Sequence, residues 1–230
     1  MTILIGRSWN GGAVLMADTT RTHFKDNSTT EAKKLVVVND CLAIALGGPG
    51  SAGTDKLRPL IVEAAKDAAG SPEVVIEIAE REMPALQKNA LAEAGEAQRD
   101  KVPPLFVCYA ARTETAGFEM GFIRLLGDRV DVKRNTGFIF SSNRTEIDGK
   151  LGKGVQTELM EQCNGSLPVV LWGLRSIAEA EADGSPGIGF PVDVASIEGD
   201  APFLEQRYER EDISKLTNNC FVPKSQLHAF

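Results

Sequence analysis

Histidine is almost absent from this chain of 230 residues: His23 and His228 are the only two. That scarcity excludes a multi-histidine metal site. A Ser-His-Asp or Cys-His centre would have to use one of these two, and His23, soon after an apolar run ending in Asp18, reads as a surface loop residue. The four cysteines, Cys41, Cys108, Cys163 and Cys220, are scattered without a CxxC pair, as expected of free thiols in a reducing cytosol. No apolar run approaches the roughly 20 residues of a membrane span. Arg7 and Asn10 interrupt the first apolar stretch too early for a signal peptide. Positive charge is in deficit, 25 Lys and Arg against 32 Asp and Glu for a net charge of −7, which argues against a nucleic-acid surface. Linkers, charge blocks, internal repeats and low-complexity tracts are missing too. The length suits one large domain spanning 1–230, with a tail from about 201.

What is present is a rhythm of short apolar runs and tight turns. Strands are expected at 2–8, 13–18, 34–38 and 41–47, with turns at Asn10-Gly11-Gly12 and Asn39-Asp40. The polar stretch 19–32 reads as an excursion. A glycine-rich turn, 47–53, leads into a helix from about 51 to 69, where Leu57, Leu60, Ile61 and Ala64 recur at helical spacing. Ser71-Pro72-Glu73 opens a second helix running toward 97, with Ser71 as cap, Pro72 in the first turn and Pro84 as a kink. Strands resume at 104–111, 118–126, 129–133 and 137–140. Helices are expected at 152–163 and 167–182, and a strand at 192–197 before a mixed tail. Consecutive strands on short turns, with helices bunched between them, imply an α+β fold. Two antiparallel sheets face each other in it, each covered by a pair of helices.

Gly48-Pro49-Gly50-Ser51-Ala52-Gly53 matches GxGxxG between a strand and a helix. The next element is another helix, however, and not the second strand of a βαβ unit, so dinucleotide binding is disfavoured. A Walker A loop fails because Thr54 and Asp55 follow Gly53. The glycines either make the turn alone or also present N–H groups to a developing oxyanion. Thr2 follows the initiator methionine, and a residue this small permits removal of Met1. That would leave a hydroxyl beside a free α-amine that titrates near neutrality and can act as its base. Asp18 closes one apolar strand and Lys34 opens another. Each is either a solvated charge or half of a pair that polarises the nucleophile.

Thr2, the run Val14-Leu15-Met16-Ala17-Asp18, Lys33-Lys34-Leu35 and Ala45-Leu46-Gly47-Gly48 resemble the proteasome β-type subunits, without gaps over the first 50 or so residues. The resemblance implies a four-layer αββα sandwich, the N-terminal nucleophile hydrolase fold. It also implies a threonine peptidase, with Thr2 Oγ attacking a peptide carbonyl and Lys34, held by Asp18, lowering its pKa. Gly48 N–H would form the oxyanion hole, and Thr22 would pair with substrate as an extended strand. Ser141 matches a serine near the terminal amine, and Asp183 is the weaker match for an aspartate orienting it. Both segments depart from the family pattern, in Ser141-Ser142-Asn143 and in Asp183-Gly184-Ser185-Pro186-Gly187. Arg21 occupies a usually small position bordering the main specificity pocket. If it points inward, that pocket is basic and partly filled, and cleavage after large apolar residues is weak.

Only Met1 precedes Thr2, so no long autolysed propeptide is expected. This is similar to the bacterial relatives HslV, Anbu and the betaproteobacterial proteasome homologue, and closest in character to the last two. Implied partners are peptide or unfolded-protein substrates and further copies in homo-oligomeric stacked rings. An ATP-dependent unfoldase is compatible with the reading. No metal, cofactor, nucleic acid or membrane is called for. Two other readings stay open: an amidohydrolase of the same type acting on a small amide, and a silent ring subunit retaining Met1.

Overall fold

The structure is a computed structural model that describes residues 2–23, 28–68, 71–115, 117–142, 165–183 and 188–219. The side chains of 140–142, 218 and 219 lie outside the description, as do Met1 and the helix expected at 152–163.

Strands β1 (Ile3–Trp9) and β2 (Gly12–Asp18) form the first hairpin. The expected polar excursion contains a small hairpin of its own, β3 (Thr20–Thr22) with β4 (Thr29–Glu31). Then come β5 (Leu35–Asn39) and β6 (Leu42–Gly47). The helix expected from 51 begins instead as a π-type turn at Gly50–Thr54, and α1 proper is Asp55–Ala65. Helix α2 (Pro72–Ala94) keeps its run through Pro84 and ends at Gly95, before a 3₁₀ turn at Glu96–Lys101. Ser71 is the N-cap residue, as expected, but its hydroxyl makes no cap hydrogen bond and donates instead to Glu73 Oε2 at 2.7 Å.

The rest comprises β7 (Phe106–Thr113), β8 (Gly117–Leu126), β9 (Arg129–Lys133), β10 (Phe138–Ser142), α3 (Ser166–Ala182), β11 (Val192–Glu198), β12 (Leu204–Tyr208) and α4 (Asp212–Asn219). Residues past 201 are therefore not simply tail. β12 pairs along β11, and Ile213 and Leu216 of α4 pack on the α3 side.

Two five-stranded antiparallel sheets result, in the orders β10-β1-β2-β11-β12 and β5-β6-β7-β8-β9. They do not follow the chain in two blocks, because β10 and β11 return to flank the first hairpin. Alternation places Leu42, Ile44 and Leu46 of β6 against α1 and α2, while Ala43 and Ala45 face the other sheet. In the first sheet Ile3, Ile5, Val14 and Met16 meet Val170, Leu174 and Ile177 of α3, and Leu4, Leu15 and Ala17 turn inward. The fold is thus mixed, with antiparallel sheets and helices packed on both. Within it, Thr2 just ahead of β1, Arg21 and Thr22 of β3, and Leu46 and Gly47 at the end of β6 line one cleft.

Candidate active site

Thr2 immediately precedes β1 and is 4% exposed. Asp18 ends β2 and is wholly buried. Its Oδ1 accepts the Ile3 backbone N–H at 2.8 Å and the Lys34 ammonium at 2.9 Å. Lys34 Nζ also donates to the Thr20 carbonyl at 2.6 Å. The antiparallel register explains the convergence: β1 and β2 pair with Leu4 opposite Ala17, so the residue after Thr2 lies against the end of β2. Lys34 arrives just before β5.

Burial sets the electrostatics. Loss of water pushes the Lys34 ammonium below its usual range, opposed by Asp18 and reinforced by the charge of Arg21. Burial likewise raises the Asp18 carboxyl, opposed by the Lys34 charge and hydrogen bond. Asp18 Oδ2 is buried and has no hydrogen-bond partner among the described residues.

Thr2 and Lys34 line a cleft of about 560 Å³ whose other wall includes Gly48, Pro49 and Gly50. Gly48 has φ +136°, a conformation in which a side chain is strained, and a Cβ there would lie 2.8 Å from Leu105 Cα. This backbone bend takes the chain from β6 into the π-type turn. Thr22 also lines the cleft, and its buried hydroxyl has no partner among the described residues. Its strand β3 pairs with β4, and no other described strand lies along β3. His23, exposed and 2.9 Å from Thr30 Oγ1 through Nε2, sits at the cleft's rim as the loop residue it was read to be.

Arg21 lines the cleft, and its charge is paired. Its guanidinium forms a two-pronged ion pair with Asp55, at 2.8 and 2.7 Å. Sequence reasoning missed Asp55, which served only to reject a Walker motif. The usable signal was an acid opening a helix behind a glycine-rich turn.

The strand of Ser141 runs along β1, with Ser141 opposite Leu4; its side chain lies outside the described residues. Asp183 is exposed at the end of α3, its N–H bonded to the Glu179 carbonyl, and it is not among the residues lining the cleft. No group of three His, Cys, Asp or Glu among the described residues is placed to hold a metal. No described helix is long and apolar enough to cross a membrane.

The class defined by this architecture is a mixed α and β protein built on two antiparallel sheets, with chain start and strand ends meeting in a cleft. No family model and no curated protein matches the sequence. Among solved structures the chain is similar to Anbu from Hyphomicrobium sp. strain MC1, with a TM-score of 0.60 and 16% identity over 94% of this chain and 92% of that one. It is similar also to a Gly-1 mutant of Anbu from that strain, with a TM-score of 0.61 and 16% identity over 95% and 92% of the two chains. The likeness is one of fold, and it agrees with the resemblance to an Anbu-like member drawn from the sequence.

Proposed function

We propose that this chain is a threonine-type endopeptidase subunit, a single domain with the four-layer αββα N-terminal nucleophile fold. The observation that carries the reading is the buried Lys34–Asp18 pair, whose Lys34 lines the same cleft as Thr2 and Gly48. Once Met1 is removed, the Thr2 α-amine takes the proton of Oγ, directly or through water, and Oγ attacks a peptide carbonyl. The resulting oxyanion sits at Gly48 N–H, the leaving amine takes the proton, and water then hydrolyses the threonine ester. Lys34 supplies positive charge beside the nucleophile, and Asp18 holds that charge in place. Substrate lies along the edge of β3 that no other described strand covers, near Thr22. We keep Ser141 as the group steadying the terminal amine. Asp183 has the weaker claim, being exposed at the end of α3.

Copies assemble as stacked rings in the cytoplasm, and unfolded chains delivered by an ATP-dependent unfoldase are the matching substrates. The test pairs intact mass with kinetics. Wild-type protein should lack Met1 and hydrolyse peptides, and Thr2→Ala should lose at least about a thousandfold in kcat/KM. Unchanged hydrolysis in Thr2→Ala sinks the mechanism, and retained Met1 in an inactive protein favours the silent subunit.

A further inference from the structure

Asp55 is the first residue of α1, directly after the π-type turn Gly50–Thr54, and its own N–H is bonded to the Gly50 and Gly53 carbonyls. Both of its oxygens are taken by the Arg21 fork, and Arg58 Nη2 stands 3.7 Å away. The pair is not a sealed core contact, since Arg21 and Asp55 side chains are 26% and 33% exposed. Arg21 lines the cleft as well as pairing with Asp55. A Cβ on Gly50 would come 2.9 Å from Arg21 Nε and 3.0 Å from its Cζ, so glycine at 50 makes room for the guanidinium. A cation in the cleft thus carries its own tethered, geometrically matched counter-ion. A carboxylate on an incoming chain would have to displace Asp55 from a two-pronged bond, and a bulky apolar side chain would have to move the fork.

We propose that Asp55, acting through Arg21, determines which substrate side chain the Thr2 cleft accepts: small and uncharged ones enter, acidic and large apolar ones do not. Asp55 is here a positioning residue, masking a charge and fixing a side chain without touching the reacting atoms. The inference takes from the peptidase reading only that the cleft receives a peptide side chain.

Binding separates the two ideas. In a Thr2→Ala background, calorimetry with three acetylated tetrapeptide amides ending in alanine, leucine or glutamate reads selectivity without turnover. The alanine peptide should bind about tenfold more tightly than either of the others. Adding Asp55→Asn should remove the deficit of the glutamate peptide, and Asp55→Glu should restore it, a pattern that a merely structural role for Asp55 would not produce. Should Asp55→Asn melt early, Arg21→Ala serves instead, with an expected tenfold gain for the leucine peptide and none for glutamate. A glutamate-to-alanine ratio unmoved by Asp55→Asn, no leucine gain in Arg21→Ala, or no binding of any peptide overturns the proposal. Absence of Thr2-dependent hydrolysis alongside the shifted ratio overturns the peptidase reading alone.

Discussion

Lys34 and Asp18 neutralise each other where neither can be solvated, with side chains 8% and 0% exposed. Removing one partner leaves the other as an uncompensated buried charge, which costs about 3–5 kcal/mol, whereas removing both can be nearly neutral. Lys34→Met should therefore lower stability by about that amount in urea denaturation. The double variant Asp18→Asn with Lys34→Met should recover most of the loss yet remain inactive on peptides. Recovery of activity together with stability would separate the pair from the chemistry. These residues were legible in the sequence because each sits at a strand end, where a lone charge beside an apolar run invites a question. Asp55 was not. Its partner lies 34 positions away, and only the tertiary path of Arg21 across Gly50 joins them.

At the scale of elements, one charged chain ties helix α2 to the sheet beneath it. Buried Tyr109 on β7 is bonded through its hydroxyl to Glu119 on β8 at 2.6 Å. Arg134 grips Glu119 with two nitrogens at 2.8 and 3.0 Å and reaches Glu73, in the first turn of α2, at 2.8 Å. Burial, followed by the Glu119 hydrogen bond and charge, pushes the Tyr109 phenol well above its ordinary range. A proton held more tightly in the folded state contributes its full stability below the unfolded phenol value of about 10. That contribution is lost as pH rises through the folded value. The melting temperature should therefore fall as pH climbs above about 10. Tyr109→Phe should flatten that fall, leaving Tyr208, also raised by burial, as the remaining tyrosine. An equally steep alkaline fall in the variant would place the sensitivity elsewhere. The expected strands lie within a residue or two of their places, because turn residues punctuate them, whereas the short, polar β3, β4 and β12 were not foreseen. Nor was sheet membership. Strands such as β2 are buried on both faces, so the polar alternation that marks a sheet's outer side is missing, and nothing local announces that β10 and β11 return to the first hairpin.

For the molecule as a whole, the decisive surface is where the two sheets meet. Its buried lining is rich in the smallest apolar side chain, with Ala13 and Ala17 on one sheet facing Ala43, Ala45 and Ala110 on the other, among Leu4, Leu15, Leu35 and Phe106. Small side chains allow sheets to approach closely, and close packing makes any added volume costly. Ala45 lies between Leu35 and Cys108 on the neighbouring strands and has no exposed surface. Two residues later the same strand becomes Gly47 and then the Gly48 bend that lines the cleft. A displacement of β6 would therefore be carried directly to the Gly48 wall of the cleft, while Thr2, which leads into β1 of the other sheet, stayed in place. Ala45→Leu should destabilise the chain by about 1–3 kcal/mol in urea denaturation. It should also reduce kcat for peptide hydrolysis more than the same substitution at Ala13, which is on the first sheet and is not part of the strand that runs into the Gly48 bend. Equal losses at the two positions would mean that the sheets move as one body, and that the site depends on the stability of the sandwich and not on the placement of β6.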